Sequence, residues 1–236
     1  MADSSNAQWF GISMVLVGVI VGYGVATSST GGMPMDAPTA AAVKPTPTAA
    51  PTPPPAPMAK EVKPVDFDRD HIRGNRDAPI ALIEYSDAEC PFCGRHHPTA
   101  QALIDGNDNV MWVYRHFPLG FHQNATPLAE ASECVWEQGG DDAFWTFTDM
   151  IFEKGADASK ISEYADASGV DGAQVQKCVD DGTYAQYVQD DMASGSAGGV
   201  SGTPGNIVIN IKTGDARLVS GAQPLSAFEA AVADLM

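Results

Sequence analysis

The sequence predicts an α/β domain with the order strand, helix, strand, helical insertion, hairpin, helix. Three observations carry this. A C-x-x-C, Cys90 to Cys93, lies between the apolar run Ile80 to Tyr85 and a helix-compatible stretch from Gly94 to Leu103. Between Thr126 and about Ala197 no strand candidate occurs, only helix patterns punctuated by glycine. Strand signals then return, and a helix pattern closes the chain.

Taken from the N-terminus, residues 1–8 are a short tail. Ser4 to Met35 carries no charged side chain, and within it Trp9 to Ala26 is a mostly apolar block. At about 1.5 Å per residue such a helix spans a hydrocarbon core of roughly 30 Å. Residues 9–26 therefore read as a transmembrane helix, a retained single-pass anchor. The competing reading is a secretory signal, for which Gly24, Val25 and Ala26 make only a weak cleavage site and no Lys or Arg precedes the block. Residues 27–66 are rich in Pro, Ala and Thr, with Pro51, Pro53, Pro54, Pro55 and Pro57 the densest part. This reads as a linker, extended where proline is dense, able to hold a domain up to roughly 100 Å from a membrane.

Residues 67–236 form the folded domain. After a lead-in from Val65 to Asp77 come the first strand, Ile80 to Tyr85, the C-x-x-C helix, and a second strand, Val110 to His116. The insertion, about 123–197, shows helix patterns around Pro127 to Gln138, Asp142 to Glu153, Ser159 to Ser168, Gly172 to Asp180 and Thr183 to Met192. The sheet resumes with Asn206 to Ile211, turns at Lys212 to Gly214, and continues through Ala216 to Ser220. The last helix, Pro224 to Leu235, has proline near its first turn. Trp112, Trp136, Trp145, Phe144 and Phe147 read as core.

The formal charge is −17, from 13 basic and 30 acidic residues, with no basic cluster. A phosphate backbone would be repelled, which excludes nucleic acid as a partner.

The chemistry centres on the cysteine pair. Two intervening residues place Cys90 and Cys93 on one helical turn, within disulfide reach. A strand that delivers two cysteines to a helix start aims free N–H groups and the positive dipole end at the first sulfur, making Cys90 the nucleophile. Half of a zinc knuckle is the alternative, but no second C-x-x-C exists. Asp87 and Glu89 are near enough to raise the Cys90 pKa, while His96 and His97 in the following turn oppose this if protonated. Both histidines otherwise read as helix-surface residues.

These features, with E-Y-S-D-A-E-C-P-F-C at Glu84 to Cys93, R-H-F-P-L at Arg115 to Leu119 and G-V-S-G-T-P-G at Gly199 to Gly205, resemble the DsbA-like thiol-disulfide oxidoreductases of the extracytoplasmic, membrane-anchored sort. The resemblance covers about Phe67 to Met236 and implies a thioredoxin-like core. It further implies that Glu84, six residues before Cys90, relays a proton to or from Cys93, a solvent-facing strand carboxylate being the alternative. Thr203 and Pro204 would form a cis bond opposite the cysteine helix and dock substrate backbone, with Pro91 and Phe92 also in contact with substrate. The dipeptide departs from the C-P-H-C of the family's strongest oxidases, so a less extreme oxidase is expected.

In an oxidising compartment, pairing Cys90 with Cys93 leaves Cys134 and Cys178 for a structural disulfide, two buried free thiols being the alternative. The expected function is thus disulfide formation in cysteine-containing proteins, using no metal or organic cofactor. The implied partners are an unidentified redox protein that recycles the pair and the membrane through the N-terminal helix, with the catalytic domain outside the cytoplasm. Rival readings are a disulfide isomerase or reductase, and a non-catalytic module, either binding metal through Cys90, Cys93, His96 and His97 or serving as a tethered binding domain.

Overall fold

A computed structural model describes residues 56–236. The membrane anchor read at 9–26 and the linker as far as Pro55 lie outside the described residues. Among those described, no helix is long and apolar enough to cross a membrane.

The elements are β1 (His71–Gly74), β2 (Ile80–Ser86), α1 (Pro91–Asp105), β3 (Val110–His116), α2 (Ala125–Lys154), α3 (Ile161–Ala167), α4 (Gly172–Asp180), α5 (Ala185–Gly198), β4 (Gly205–Asn210), β5 (Ala216–Ser220) and α6 (Leu225–Leu235). The five strands form one sheet in the order β1-β3-β2-β4-β5. Parallel pairing joins β2 to β3, and every other pair is antiparallel. Because β2 is central and covered on both faces, all seven of its residues are buried.

Alternation along the strands sends side chains to two cores. On one face Ile80, Leu82, Trp112, Tyr114 and Val208 pack with Leu103 of α1, Phe144 of α2 and Phe228 of α6. On the other, Ala81, Ile83, Tyr85, Met111 and Ile207 pack with Val200 and with partly buried residues of the segment before β1. The insertion has its own core, built on Leu128, Val135, Phe147, Tyr164 and Val175. The structure joins Cys134 of α2 to Cys178 of α4 as a disulfide inside this unit.

The two helices expected at Pro127 to Gln138 and Asp142 to Glu153 both occur within α2, parted by a kink at Gly140, whose φ of 66° glycine tolerates. Two differences from the sequence expectation have physical causes. Strand β1 falls inside what was read as a lead-in; its four residues, HIRG, contain one aliphatic side chain and show no usable alternation. Finally, residues 56–66, assigned to the linker, lie along the fold. Leu218 N–H donates to the Pro57 carbonyl, and the Lys60 and Glu61 N–H groups donate to carbonyls at the end of α5.

Arg115 fastens this segment. Its buried guanidinium donates to both carboxylate oxygens of Asp70 at 3.0 and 2.8 Å, to the Tyr85 hydroxyl, and to the Lys63 and Pro64 carbonyls. A planar fork with five donors suits this set of acceptors.

Candidate active site

Cys90 is the N-cap of α1 with extended backbone, and Pro91 begins the helix. The Cys93 and Gly94 N–H groups turn back to the Cys90 carbonyl. Both cysteines are free thiols here. Cys90 is 5% exposed and Cys93 fully buried, while Phe92 between them is 51% exposed.

The two sulfurs have opposite electrostatics. The Cys93 thiol donates to Cys90 and outweighs the cost of burial; the Thr203 side chain and the backbone N–H groups of Cys93 and Phe92 add to it. The Cys90 thiol is thereby pushed down to about 5. Burial, then Cys90 and Glu84, push the Cys93 thiol far above the ordinary range.

Across from the helix start, the Thr203–Pro204 peptide is cis, as expected. As a thiol, Cys90 Sγ donates to the Thr203 carbonyl at 3.5 Å. The buried Thr203 hydroxyl has no other partner and is placed as a donor for the thiolate. A cleft of about 240 Å³ runs along this loop, lined by Val200, Ser201, Gly202, Thr203, Pro204 and Ser220 among others.

Asp87 corrects one expectation. Far from facing Cys90 as a free charge, its carboxylate is buried and accepts from four donors: Glu89 N–H and Cys90 N–H on Oδ1, Leu119 N–H and His122 Nδ1 on Oδ2. Glu89 likewise accepts from the Asn124 N–H at 2.7 Å. The pKa of His122, the imidazole bonded to Asp87, is raised by that hydrogen bond first and also by the nearby Cys90. The residues between β3 and α2 are thus tied to the cysteine turn, and they present Phe121, 76% exposed. Nothing in the spacing of His122 or Phe121 pointed to the site.

Glu84 is fully buried on the α1 side of β2, where Trp112 Nε1 donates to Oε2 at 3.1 Å. The solvent-facing alternative is excluded by that burial. Of the two histidines read as surface residues, His96 is in the interior and His97 is half-buried. His96 is fully buried with Nε2 3.8 Å from Glu84 Oε2, and His97 bonds Asp149 at 2.8 Å against Trp112. They face different partners, so the four-ligand set Cys90, Cys93, His96 and His97 does not converge.

A second buried cluster has metal-ligand chemistry. His71 Nε2 and His116 Nε2 both meet Glu133 Oε1, at 2.5 and 2.9 Å, and Arg69 Nη2 donates to Oε2 at 2.9 Å. The three donor atoms lie within 4.8 Å of one another. The carboxylate is already committed to two imidazoles and a guanidinium, an ion-pair hub with more positive than negative charge that does not fit a cation. Burial opposes protonation of His71, but Glu133 and then Asp141 outweigh it and push the ring up to about 9.

The family model described as Thioredoxin matches residues 67–232. The solved structure of Pseudomonas aeruginosa DsbA2 is 26% identical with a TM-score of 0.61, covering 71% of this chain and 95% of that one. A thioredoxin-like oxidoreductase from Silicibacter pomeroyi DSS-3 is 25% identical with a TM-score of 0.61, covering 70% of this chain and 91% of that one. In sequence, the Na(+)/H(+) antiporter NhaA 1 of Salinispora arenicola is 35% identical over 144 residues, 60% of this chain. The chain spans only 22% of that antiporter's length.

Proposed function

The chain belongs to the thioredoxin family in its DsbA-like form and is a thiol-disulfide oxidoreductase; on that premise we propose that it acts as an oxidase, making disulfides in proteins outside the cytoplasm. The observation that carries this is the asymmetry of the pair. A Cys90 thiol pushed down to about 5 stabilises the reduced, thiolate form of the enzyme. Stabilising the reduced form makes the disulfide a stronger oxidant.

The reaction begins when a substrate thiolate attacks Cys90 Sγ of the disulfide form. The Cys90–Cys93 bond breaks, its electron pair goes to Cys93, and a substrate–Cys90 mixed disulfide forms. The second substrate thiolate then attacks the substrate sulfur of that bond and releases Cys90 as a stable thiolate. Cys93, high in pKa and shielded, ends as the thiol. The Thr203 backbone beside Cys90 and the cleft along 200–205 support docking of an extended substrate. Exposed Phe92 and Phe121 supply apolar contact for a partly folded chain. Glu84, buried near Cys93, acts as its proton relay.

A redox partner must reoxidise the pair after each cycle. The anchor read at 9–26 and the Cys134–Cys178 disulfide support a membrane-held domain in an oxidising compartment. Equilibration with glutathione tests the oxidase reading. The expected potential lies above thioredoxin's roughly −270 mV and below roughly −120 mV; a value at or below that of thioredoxin makes the protein a reductase.

A further inference from the structure

On the Glu84 face of the sheet beneath the cysteine helix, several buried polar atoms lack a hydrogen-bond partner, among them Glu84 Oε1, both ring nitrogens of His96, and Asn206 Oδ1. Interiors rarely leave polar atoms alone, and a group of them calls for an explanation. The sheet gathers them. Glu84 pairs in register with Tyr114 of β3 and Asn206 of β4, and Ser86 is two residues further along the same face. His96 is the residue three places after Cys93 on α1. Its ring is held against Phe228 of α6 with centroids 5.0 Å apart, and its Nε2 stands 3.8 Å from Glu84 Oε2. A small rotation or one bridging water closes that gap.

We propose that His96 is the proton partner of Glu84, and that the two side chains share the proton exchanged with Cys93. This rests on the oxidoreductase reading and deepens it. When substrate attack breaks the Cys90–Cys93 bond, Cys93 leaves as a thiolate inside a dry core. The shared proton moves to Cys93 Sγ, and His96 and Glu84 then regain one from solvent. Of the two protons the substrate dithiol loses, one is balanced by Cys93 and the other stays in solution. Reoxidation runs the transfer backwards.

Other groups facing the pair do not replace His96. Trp112 Nε1–H holds Glu84 Oε2 but is a donor only. Tyr114, pushed well above its ordinary value by burial and then by Glu84, keeps its own proton. Asp87, in the turn after β2, is taken up by four donors. Cys90 and Cys93 approach from α1; α6 contributes Phe228 and β4 contributes Asn206, neither of which titrates. His97 is turned away to Asp149.

The test is stopped-flow reduction of the full-length disulfide form by a dithiol peptide from pH 5 to 8, in wild type, Glu84→Gln, His96→Gln and the double variant. Glu84→Gln should slow the step by about 100-fold and His96→Gln by about 10-fold, with a flattened pH profile. The double variant should be no slower than Glu84→Gln, because the two residues serve one transfer. A His96→Gln rate and pH profile matching wild type, or a double variant slowed by the product of the single effects, overturns the proposal. Absence of exchange in wild type would instead remove the oxidoreductase reading. Should His96→Gln not fold, ¹⁵N shifts of the His96 ring in wild type decide. Its titration curve should differ between oxidised and reduced protein, and identical curves overturn the pairing.

Discussion

His122 Nδ1 lies 2.8 Å from Asp87 Oδ2, binding the residues after β3 to the turn that carries Cys90. The same carboxylate holds the Leu119 and Cys90 N–H groups, so one buried charge sets the relative position of the nucleophile and the exposed Phe121.

Replacing Asp87 with Ala should therefore cost stability by about 3 kcal/mol, since it strands several buried donors. Urea denaturation measures this. Hydrogen exchange at the Leu119 amide should quicken in the same variant; an unchanged exchange rate would mean that the loop is held by something else.

The two cysteines should divide their work. Cys90→Ser should abolish exchange with thiol substrates, whereas Cys93→Ala should accumulate mixed disulfides at Cys90, detectable on non-reducing gels and by mass spectrometry. No trapped species with Cys93→Ala would remove the resolving role from that residue.

The ion-pair hub should make stability fall in alkali. His71 titrates near 6.5 when unfolded and at about 9 in the fold, so between these values the native state holds a proton that the unfolded chain has lost. The contribution is complete below about pH 6.5 and disappears as pH rises through about 9. Measured on the oxidised protein, where Cys90 and Cys93 do not titrate, this decline should vanish in His71→Gln. That variant should also lose about 3 kcal/mol, because Glu133 is left buried with one imidazole fewer.

Removing the Cys134–Cys178 bridge should destabilise the protein by about 4 kcal/mol on loop entropy, given a separation of 44 residues. Thermal melts of the double alanine variant check this. A loss under 1 kcal/mol would show that the core around Phe147 and Tyr164 holds the insertion unaided.

Much of this was legible in the chain. Strands β2 and β3 announce themselves by unbroken apolar and β-branched runs, because a central strand buried on both faces has no choice of composition. The cysteine pair and the Thr203–Pro204 dipeptide carry motifs whose chemistry is local. Strand β1 was illegible because its burial comes from pairing with β3 and from the Glu133 hub, neither visible in HIRG. The environments of Asp87, His96 and His122 were misread or missed for a shared reason. Each is defined by a partner that the fold brings from another element, and a charge near a cysteine in sequence says little about whether it is already spent.

The central claim is that Cys90 is an activated sulfur. The most direct test is the rate at which reduced protein is alkylated at Cys90 by iodoacetamide across pH 3 to 10. A single ionisation with its midpoint near 5 and a plateau through neutrality is the outcome that the site geometry requires. A midpoint near 8.5, that of a free cysteine, would contradict it.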